Sequence, residues 1–315
     1  MPSTSHSSKR VVVPGSTSNL GPGFDCVGLA LGLYLEAVLV EPNDEPGHAY
    51  LERRGTAASW PLEGDLFTRA FDLALGAKPG EAGFRFRVHS ELPLERGIGS
   101  SGAATAAGLL LGAAVARERG GPAKDVKALL GLGLELEGHP DNVTASLLGG
   151  LTLCAPLDVG PEKFAVLTPE VHTSLGVVLA WSEHRSPTER ARAVLPTSVP
   201  FADAVENPRR LALLLAALRA GDATLLASGS VDRLHERYRL ELIPGGSETL
   251  AAMRAAGAPL ATVSGSGSAL VAVAPHDRLE AIAKRAQATL SRFAEGVVAR
   301  PVSIERTAPS VSPAI

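Results

Sequence analysis

The sequence predicts an α+β fold of two domains, and three observations carry this prediction. Short strand patterns and helix patterns mix along the 315 residues, which is typical of α+β layers rather than of a doubly wound sheet. A proline-bounded stretch at 156–161 interrupts the pattern and predicts a junction between residues 1–158 and residues 159–315. A chain of this length can also bury the cores of two ordinary domains.

Hydrophobic period and turn residues predict the elements of the first half in order. A strand at 10–13 ends at Pro14-Gly15, and a polar turn follows at 16–19. An apolar stretch passes into a strand at 37–40, and the acidic segment 41–47 predicts a hairpin-type connection. The remaining elements are a helix at 66–76, a strand at 84–88, helices at 103–116, 123–137 and 143–148, and a strand at 151–155.

The second half continues the alternation of strands and helices. Its predicted elements are strands at 176–181, 261–263 and 269–274, and helices at 207–220 and 279–293. In the first half, the helix at 103–116 carries a stripe of small residues, Ala104, Gly108 and Gly112, which predicts close packing on a sheet. The segment has too many hydroxyl groups and too few leucines for a membrane span.

Composition excludes several classes of function. The net charge of -3 and the pI of about 6.3 do not indicate a basic surface for binding nucleic acid. The sequence also lacks the pattern of a basic amphipathic helix that would bind a membrane surface. Cys26 and Cys154 stand far apart without metal-like spacing, so we expect two small buried side chains in a reducing compartment. Residues 1–10 lack the apolar core of a signal peptide and predict a short disordered lead into a cytoplasmic protein.

The segment from Pro93 to Gly102, PLERGIGSSG, is the most informative part of the chain. Closely spaced glycines and paired serines let backbone N–H groups crowd around an anion, and the following helix directs its positive end at the same point. A Walker A loop needs a lysine directly before its hydroxyl residue, and no lysine precedes the paired serines here. No acidic residue stands where a dinucleotide-binding fold needs one. The segment therefore predicts a phosphate-binding loop of a third class.

Two further clusters of Gly with Ser or Asn, at 14–25 and 263–268, adjoin predicted strands. Both can therefore lie at the end of a sheet, where ligands usually bind. Together with the loop at 93–102 they resemble, in kind and order, the three motifs of the GHMP small-molecule kinases. The resemblance spans nearly the whole chain. Within that superfamily, the segments that are similar to homoserine kinases are 137–143, 188–196 and 232–239.

The resemblance implies both a fold and a reaction. The fold is a nucleotide domain like ribosomal protein S5 domain 2, followed by a ferredoxin-like α/β plait. The reaction is the ATP-dependent phosphorylation of the side-chain hydroxyl of L-homoserine, in threonine biosynthesis, by direct in-line transfer with Mg²⁺. The partners it implies are L-homoserine and ATP, with a homodimer and a monomer both open.

For the phosphoryl donor, the resemblance implies that ATP contacts the loop and the last motif. The residues are Pro93, Leu94, Glu95, Arg96, Gly97, Ile98, Gly99, Ser100, Ser101, Gly102, Ala103, Ser264 and Gly265. Because Mg²⁺ takes one or two carboxylates besides phosphate oxygens, Ser101 and Glu137 are its expected ligands. Glu135 is a rival to Glu137, since the chain is shorter than some relatives before His139.

For the acceptor, the resemblance implies a clamp, an ammonium partner and a group at the hydroxyl. Arg192 and Arg239 suit the substrate carboxylate because guanidinium binds it in a bidentate fork. The other implied contacts are Asp25 at the ammonium, Asn142 near the hydroxyl, His139 and Thr188 as further contacts and Asn19 as a site-shaping residue. We expect Asn142, Arg192 and Asp141 to matter most for catalysis, with Asp141 orienting other groups and a general base left open.

Two other functions stay open at this point. One is a GHMP kinase for a different alcohol, of the mevalonate type, for which an ammonium partner would be needless. The other is a nucleotide-binding member that has lost turnover. Asp25 with the two arginines argues against the first, and Ser101 with Glu137 argues against the second.

Overall fold

The computed structural model describes residues 8–43, 45–158 and 164–314. Its strands are β1 (Lys9–Asn19), β2 (Gly23–Pro42), β3 (Ala49–Gly55), β4 (Phe84–Ser90), β5 (Leu151–Pro156), β6 (Phe164–Leu167), β7 (Leu175–Trp181), β8 (Leu260–Val263), β9 (Leu270–Pro275), β10 (Val298–Val302) and β11 (Ser312–Pro313). Its α-helices are α1 (Leu66–Leu75), α2 (Ser100–Glu118), α3 (Val126–Glu137), α4 (Asp141–Leu148), α5 (Thr188–Ala193), α6 (Phe201–Ala220), α7 (Ala223–Gly229), α8 (Glu236–Leu240), α9 (Gly246–Ala255) and α10 (Leu279–Leu290). The predicted α+β class is confirmed.

The strands form two sheets, and β2 organises the first of them. Seven strands make this sheet in the order β11-β1-β2-β4-β3, with β5 pairing with both β2 and β6. Because β2 is 20 residues long, it pairs with β1 along one side while its two ends pair with β5 and β4 on the other. Helices α2 and α4 pack against β1 and β2. The end of β1 and the start of β2 are thereby fixed beneath the starts of both helices.

The second sheet has the order β10-β7-β9-β8, and all of its pairs are antiparallel. Numbered within the sheet this is the order 4-1-3-2, which agrees with the implied ferredoxin-like plait. Helices α9 and α10 pack on it over a buried apolar cluster. A larger cluster joins the two sheets, since it includes Val13 and Leu31 of the first and Val177 and Leu179 of the second.

Three local predictions were wrong. Residues 14–19 are not a stop and a turn, because β1 continues to Asn19 with a register shift between Pro14 and Gly15. A bulge of this kind lets a strand accommodate proline. Nor is the segment at 41–47, of which Asp44 lies outside the described residues, a hairpin connection. It leads to β3, which pairs in parallel with β4 and not with β2.

The first sheet extends beyond the predicted domain boundary. Residues 1–7 of the predicted disordered lead and residues 159–161 of the predicted junction lie outside the described residues, whereas Lys9 and Arg10 belong to β1. Strands β6 and β11 both join the first sheet, although they follow residue 158. The division at 158/159 stays a prediction, and the pairing of β5 with β6 favours a division after β6.

Small residues on α2 allow two helices to approach closely. The stripe of Gly108 and Gly112 faces α1, and a Cβ on either glycine would overlap a backbone carbonyl oxygen there, of Phe67 and Phe71 respectively. The prediction that this stripe packs on a sheet was therefore wrong, because its partner is a helix. Close packing of α1 on α2 positions the N-terminal end of α1 beside the phosphate loop.

We expect Gly112→Ala to lower the free energy of unfolding by about 1–3 kcal/mol, because overpacking against the Phe71 carbonyl outweighs the better helix propensity of alanine. Gly131→Ala in α3 is the matched control, since a Cβ there meets no atom within 4 Å. It should raise the free energy of unfolding by up to about 1 kcal/mol. Urea unfolding measures both changes. A Gly112→Ala protein as stable as the control would contradict the close packing.

Candidate active site

A cavity of about 550 Å³ opens between the three motif segments. The β1–β2 turn contributes Ser18, Asn19 and Asp25 to its wall, and the phosphate loop with the start of α2 contributes Leu94, Glu95, Gly97, Gly99, Ser100, Ser101 and Ala104. The other predicted site residues in the wall are His139, Asp141, Asn142, Thr188, Arg192 and Arg239. The structure thus brings together side chains that are up to 248 positions apart in the sequence, from Ser18 to Ser266.

Hydrogen bonds hold the three motif segments against one another. The Ser264 hydroxyl donates to the Gly97 carbonyl (2.6 Å) and lies 2.9 Å from Thr17 Oγ1. The backbone N–H of Ala269 donates to the Arg96 carbonyl (2.9 Å). A Cβ on Gly97 would overlap the Ser264 carbonyl oxygen. The phosphate loop therefore needs glycine at position 97 for this contact as well as for its left-handed backbone, with φ of 69°.

The phosphate loop ends at the N-terminus of α2. Gly99 precedes the helix in the left-handed conformation (φ 68°), and Ser100 is the first helical residue. Free N–H groups in this first turn lie at the cavity wall together with the helix dipole, which makes the site suited to an anion. Ser101 lies in the same turn and lines the cavity.

Several residues of the two nucleotide motifs do not line the cavity. Ile98 and Ala103 are buried in the core, and Pro93 and Gly102 are buried as well. The Arg96 side chain turns away and donates to the backbone carbonyls of Ser182, Glu183 and Leu94. Of the last motif, Ser266 lines the cavity, whereas Ser264 and Gly265 bind the neighbouring segments.

The structure separates the two glutamates that compete for the metal position. Glu137, the last residue of α3, accepts a hydrogen bond from Thr105 Oγ1 (2.7 Å). Burial raises the pKa of Glu137, and the nearby Ser101 side chain opposes this shift by lowering the pKa of the same carboxyl group. Glu135 is exposed, and neither glutamate is among the residues that line the cavity. Glu137 and Ser101 therefore place oxygen donors side by side at the start of α2.

Asp141 and Asn142 begin α4, and their side chains bind neighbours from β1 and the α3–α4 connection. Asn142 Nδ2 donates to Ser18 Oγ (3.1 Å), and Asn142 Oδ1 accepts from Ser16 Oγ (2.9 Å). Asp141 is buried, and its Oδ1 accepts from the backbone N–H of Asn142 (2.8 Å) and lies 3.2 Å from His139 Nδ1. This contact with Asp141 raises the pKa of His139. Asp141 is thus placed to orient both Asn142 and His139.

Arg192 and Asp25 bind each other. The guanidinium donates two hydrogen bonds to the carboxylate, from Nη1 to Oδ2 (3.0 Å) and from Nη2 to Oδ1 (2.8 Å). The family resemblance implies that Asp25 contacts the ammonium and Arg192 the carboxylate of a substrate. Asp25 has a left-handed backbone (φ 54°), and its backbone N–H donates a hydrogen bond to Asn19 Oδ1 (3.1 Å). The turn therefore holds Asp25 at the cavity wall.

Arg239 is a buried cation, only 2% exposed. Its Nη1 donates to the Gly265 carbonyl (2.9 Å), which also accepts from Asn19 Nδ2 (2.9 Å). Burial lowers the pKa of Arg239 to about 10. Within the described part of the chain it forms no ion pair with a carboxylate. Thr188, the first residue of α5, lies nearby with its Oγ1 3.4 Å from Ser266 Oγ.

The sequence analysis missed one wall of the cavity. Between β3 and α1, the segment with Ser59, Trp60, Pro61, Gly64, Asp65 and Leu66 adds an apolar end next to Leu94. Trp60 is 8% exposed, and its Nε1 is a buried donor without a partner. One signal could have pointed there. A Trp-Pro pair in a chain with only two tryptophans stands just before the cap of a helix.

Family models match both halves of the chain. The model described as GHMP kinases N terminal domain matches residues 65–150, and the model described as GHMP kinases C terminal matches residues 214–292. The homoserine kinase of Prochlorococcus marinus (strain MIT 9303) is 39% identical over 296 residues, which cover 92% of this chain and 90% of that protein. The homoserine kinase of Synechococcus sp. (strain RCC307) is 37% identical over 300 residues, with 94% and 92% covered.

Solved structures agree with these relatives. The homoserine kinase of Cytophaga hutchinsonii superposes with a TM-score of 0.83 at 25% identity and covers 99% of both chains. L. major mevalonate kinase, with a TM-score of 0.70 at 17% identity over 95% of this chain and 97% of that one, shares the fold. None of the helices in the described part has the length and apolar character that a membrane span needs. The chain belongs to the GHMP kinase family, and within that family to the homoserine kinases.

Proposed function

We propose that this protein transfers the γ-phosphoryl group of ATP to the side-chain hydroxyl of L-homoserine, in the cytoplasm and for threonine biosynthesis. The observation that carries the choice of acceptor is Arg239, a buried cation without a carboxylate partner at the wall of the cavity. A buried charge is stable only when it is paired. The carboxylate of an amino-acid substrate supplies the missing anion.

The second acceptor contact involves Asp25 and Arg192. In the absence of substrate they satisfy each other through two hydrogen bonds. An incoming amino acid carries both partners that these residues need, because its ammonium suits Asp25 and its carboxylate suits Arg192. We infer that the substrate binds between the two side chains, with its ammonium group at Asp25 and its carboxylate at Arg192. The ion pair thereby keeps both charged groups compensated before binding.

The donor half of the site suits ATP. The first turn of α2 and the Gly97–Gly99 backbone offer N–H donors for the phosphates. The apolar end with Trp60 and Leu66 suits the base. ATP therefore lies between this end and the acceptor residues, with its terminal phosphate toward Asn142.

The oxygen donors at the start of α2 fit Mg²⁺. Glu137 and Ser101 offer a carboxylate and a hydroxyl, which are hard ligands of the kind that this ion takes besides phosphate oxygens. When bound, the ion would neutralise charge that develops on the transferring phosphoryl group. A cation there would also offset the desolvation that raises the pKa of Glu137.

Transfer itself needs positioning more than proton chemistry. Asn142, held by Ser16 and Ser18, is placed to orient the acceptor hydroxyl. Asp141 holds Asn142 and His139 through Oδ1, so we assign it an orienting role in a direct in-line transfer. Thr188 and His139 complete the acceptor wall.

An ADP-release assay across small alcohols tests the proposal. We expect turnover with L-homoserine and little with mevalonate or sugars, because only an amino acid supplies partners for Arg239, Arg192 and Asp25 together. Calorimetry with ATP alone is the parallel measurement. Turnover of mevalonate without turnover of homoserine would refute the acceptor, and ATP binding without any transfer would favour a silent member of the family.

Arg239→Met should raise the KM for L-homoserine about 10- to 150-fold, since a charge-assisted hydrogen bond contributes about 1.5–3 kcal/mol. The KM for ATP should change little. Arg237→Met is the matched control in the same short helix, because Arg237 is exposed and pairs with Asp203. Steady-state kinetics with each substrate varied in turn measures both proteins. An unchanged KM for homoserine in Arg239→Met would remove this residue from the carboxylate site.

Glu137→Gln should lower kcat/KM for ATP about 10- to 100-fold at limiting Mg²⁺, if Glu137 holds the ion. Burial raises the pKa of Glu137 in the folded chain, so its ionisation removes stability as the pH rises above about 4.3. The same variant should therefore unfold at a higher Tm than the wild type at pH 7, with no difference at pH 3.

Glu135→Gln is the control for both readouts, because Glu135 is exposed on the same helix. We expect it to change neither the Mg²⁺ requirement nor the pH dependence of the Tm. A larger loss of activity in Glu135→Gln than in Glu137→Gln would reverse the assignment.

A further inference from the structure

We propose that Phe24 and His235 are positioning residues that hold Arg192 and Arg239 at the carboxylate end of the substrate site. This inference rests on the proposed function and deepens it. Neither residue contributes to the cavity wall. Phe24 is partly exposed and His235 is buried, and both act through the two arginines.

One aromatic ring contacts both guanidinium groups. The Cζ atom of Arg239 lies 5.0 Å from the centroid of the Phe24 ring, and that of Arg192 lies 5.9 Å from it. A guanidinium over an aromatic face is attracted by the ring quadrupole, and more strongly where water is excluded. Phe24 directly precedes Asp25 in the sequence. The same turn therefore fixes the ammonium partner and the two carboxylate partners.

The two arginines need such a contact because they repel each other. Burial is the main cause of the lowered pKa of Arg239, the negative charge of Asp25 opposes it, and the positive charge of Arg192 lowers the pKa further. Asp25 compensates Arg192 directly, whereas Arg239 has only carbonyl oxygens and one imidazole as partners. The Phe24 ring attracts both cations without competing for a carboxylate. It can thus keep them together while leaving their hydrogen bonds available to substrate.

His235 supports the same arrangement through contacts with both Arg239 and Phe24. It is fully buried, and its ring stacks on Phe24 at a centroid distance of 4.8 Å. Its Nε2 lies 2.8 Å from the Gly21 carbonyl, which can only accept, and its Nδ1 lies 3.4 Å from Arg239 Nη1, which can only donate. These partners fix a neutral imidazole with the proton on Nε2. His235 thus joins Arg239 to the turn that carries Asp25.

Burial agrees with this protonation state, because it lowers the pKa of His235. Asp232 is the carboxylate nearest to this ring, with its Oδ1 3.7 Å from His235 Nε2. Its Oδ2 accepts hydrogen bonds from the backbone N–H groups of Leu234, His235 and Glu236. The carboxylate therefore fixes the chain at the start of α8. The imidazole is left to Arg239 and Gly21.

The test compares two acceptors that differ only in the carboxylate, L-homoserine and 3-amino-1-propanol. In Phe24→Leu we expect kcat/KM for L-homoserine to fall about 5- to 30-fold, as expected for loss of desolvated cation–π contacts. The value for 3-amino-1-propanol and the KM for ATP should change little. The preference for the carboxylate-bearing substrate should fall by the same factor, and Phe24→Tyr, which keeps the ring, should restore it.

Phe293→Leu is the matched control. Phe293 also lies under an arginine, Arg292, at 5.7 Å, but on the surface of the second sheet's helical layer. This variant should keep the wild-type preference. An equal loss on both acceptors in Phe24→Leu would show a merely structural role and overturn the proposal, as would an unchanged preference.

The wild-type assay separates this proposal from the proposed function. If the wild type does not phosphorylate L-homoserine, the proposed function fails first. If it does, only the change in preference decides the role of Phe24. If Phe24→Leu does not fold, the ratio of kcat/KM for L-homoserine to kcat/KM for 3-amino-1-propanol is measured in His235→Phe instead. Phenylalanine keeps the stacking on Phe24 but cannot accept a hydrogen bond from Arg239. We expect a reduced preference in that variant, and an unchanged one would overturn the proposal.

Discussion

The contact between the last motif and the phosphate loop is the constraint on which the site depends. Ser264 and Gly265 follow a strand of the second sheet, yet they bind Gly97, Thr17, Asn19 and Arg239 rather than facing the cavity. These bonds fix the distance between the donor groups on α2 and the acceptor groups on the other segments. In-line phosphoryl transfer depends on such positioning, because a misplacement of about 1 Å costs much of the rate. The last motif therefore supports the site by holding the phosphate loop and the end of β1 together.

Charge is arranged in this cavity for binding rather than for stability of the empty protein. Arg239 is buried without a carboxylate, and burial raises the pKa of Glu137. Both groups would be more stable with a ligand of opposite charge, which an amino-acid carboxylate and a divalent cation supply. Arg192 and Asp25 differ from them, since each compensates the charge of the other. The Phe24 ring allows the two arginines to stay close despite their like charge.

Local signals predicted those elements whose ends are set by single residues. Asp65 caps α1 through a hydrogen bond to the Phe67 N–H, and Gly76 and Gly138 end their helices in the left-handed conformation, as the sequence indicates. Predictions failed where pairing with a distant segment decides the outcome. Pro14 lies within β1 because the pairing of β1 with β2 continues past it, with a bulge where the register shifts. The sequence predicts that helix α6 starts at residue 207, and a proline is indeed favoured in a first turn. In the structure, however, α6 starts at Phe201 and includes Pro208 in its interior.

The sequence by itself predicted the phosphate loop and the class of fold, because glycine spacing and the periodicity of strands and helices are local properties, and its resemblance to the GHMP kinases implied the candidate site residues. Only the tertiary structure showed that Glu137 binds Thr105 of α2 while Glu135 on the same helix is exposed, because the two residues differ in which neighbours they meet. It also decided that Arg192 pairs with Asp25 while Arg239 stays without a carboxylate. Burial and ion pairing depend on distances between remote segments, and those distances are set by how the two sheets share one core.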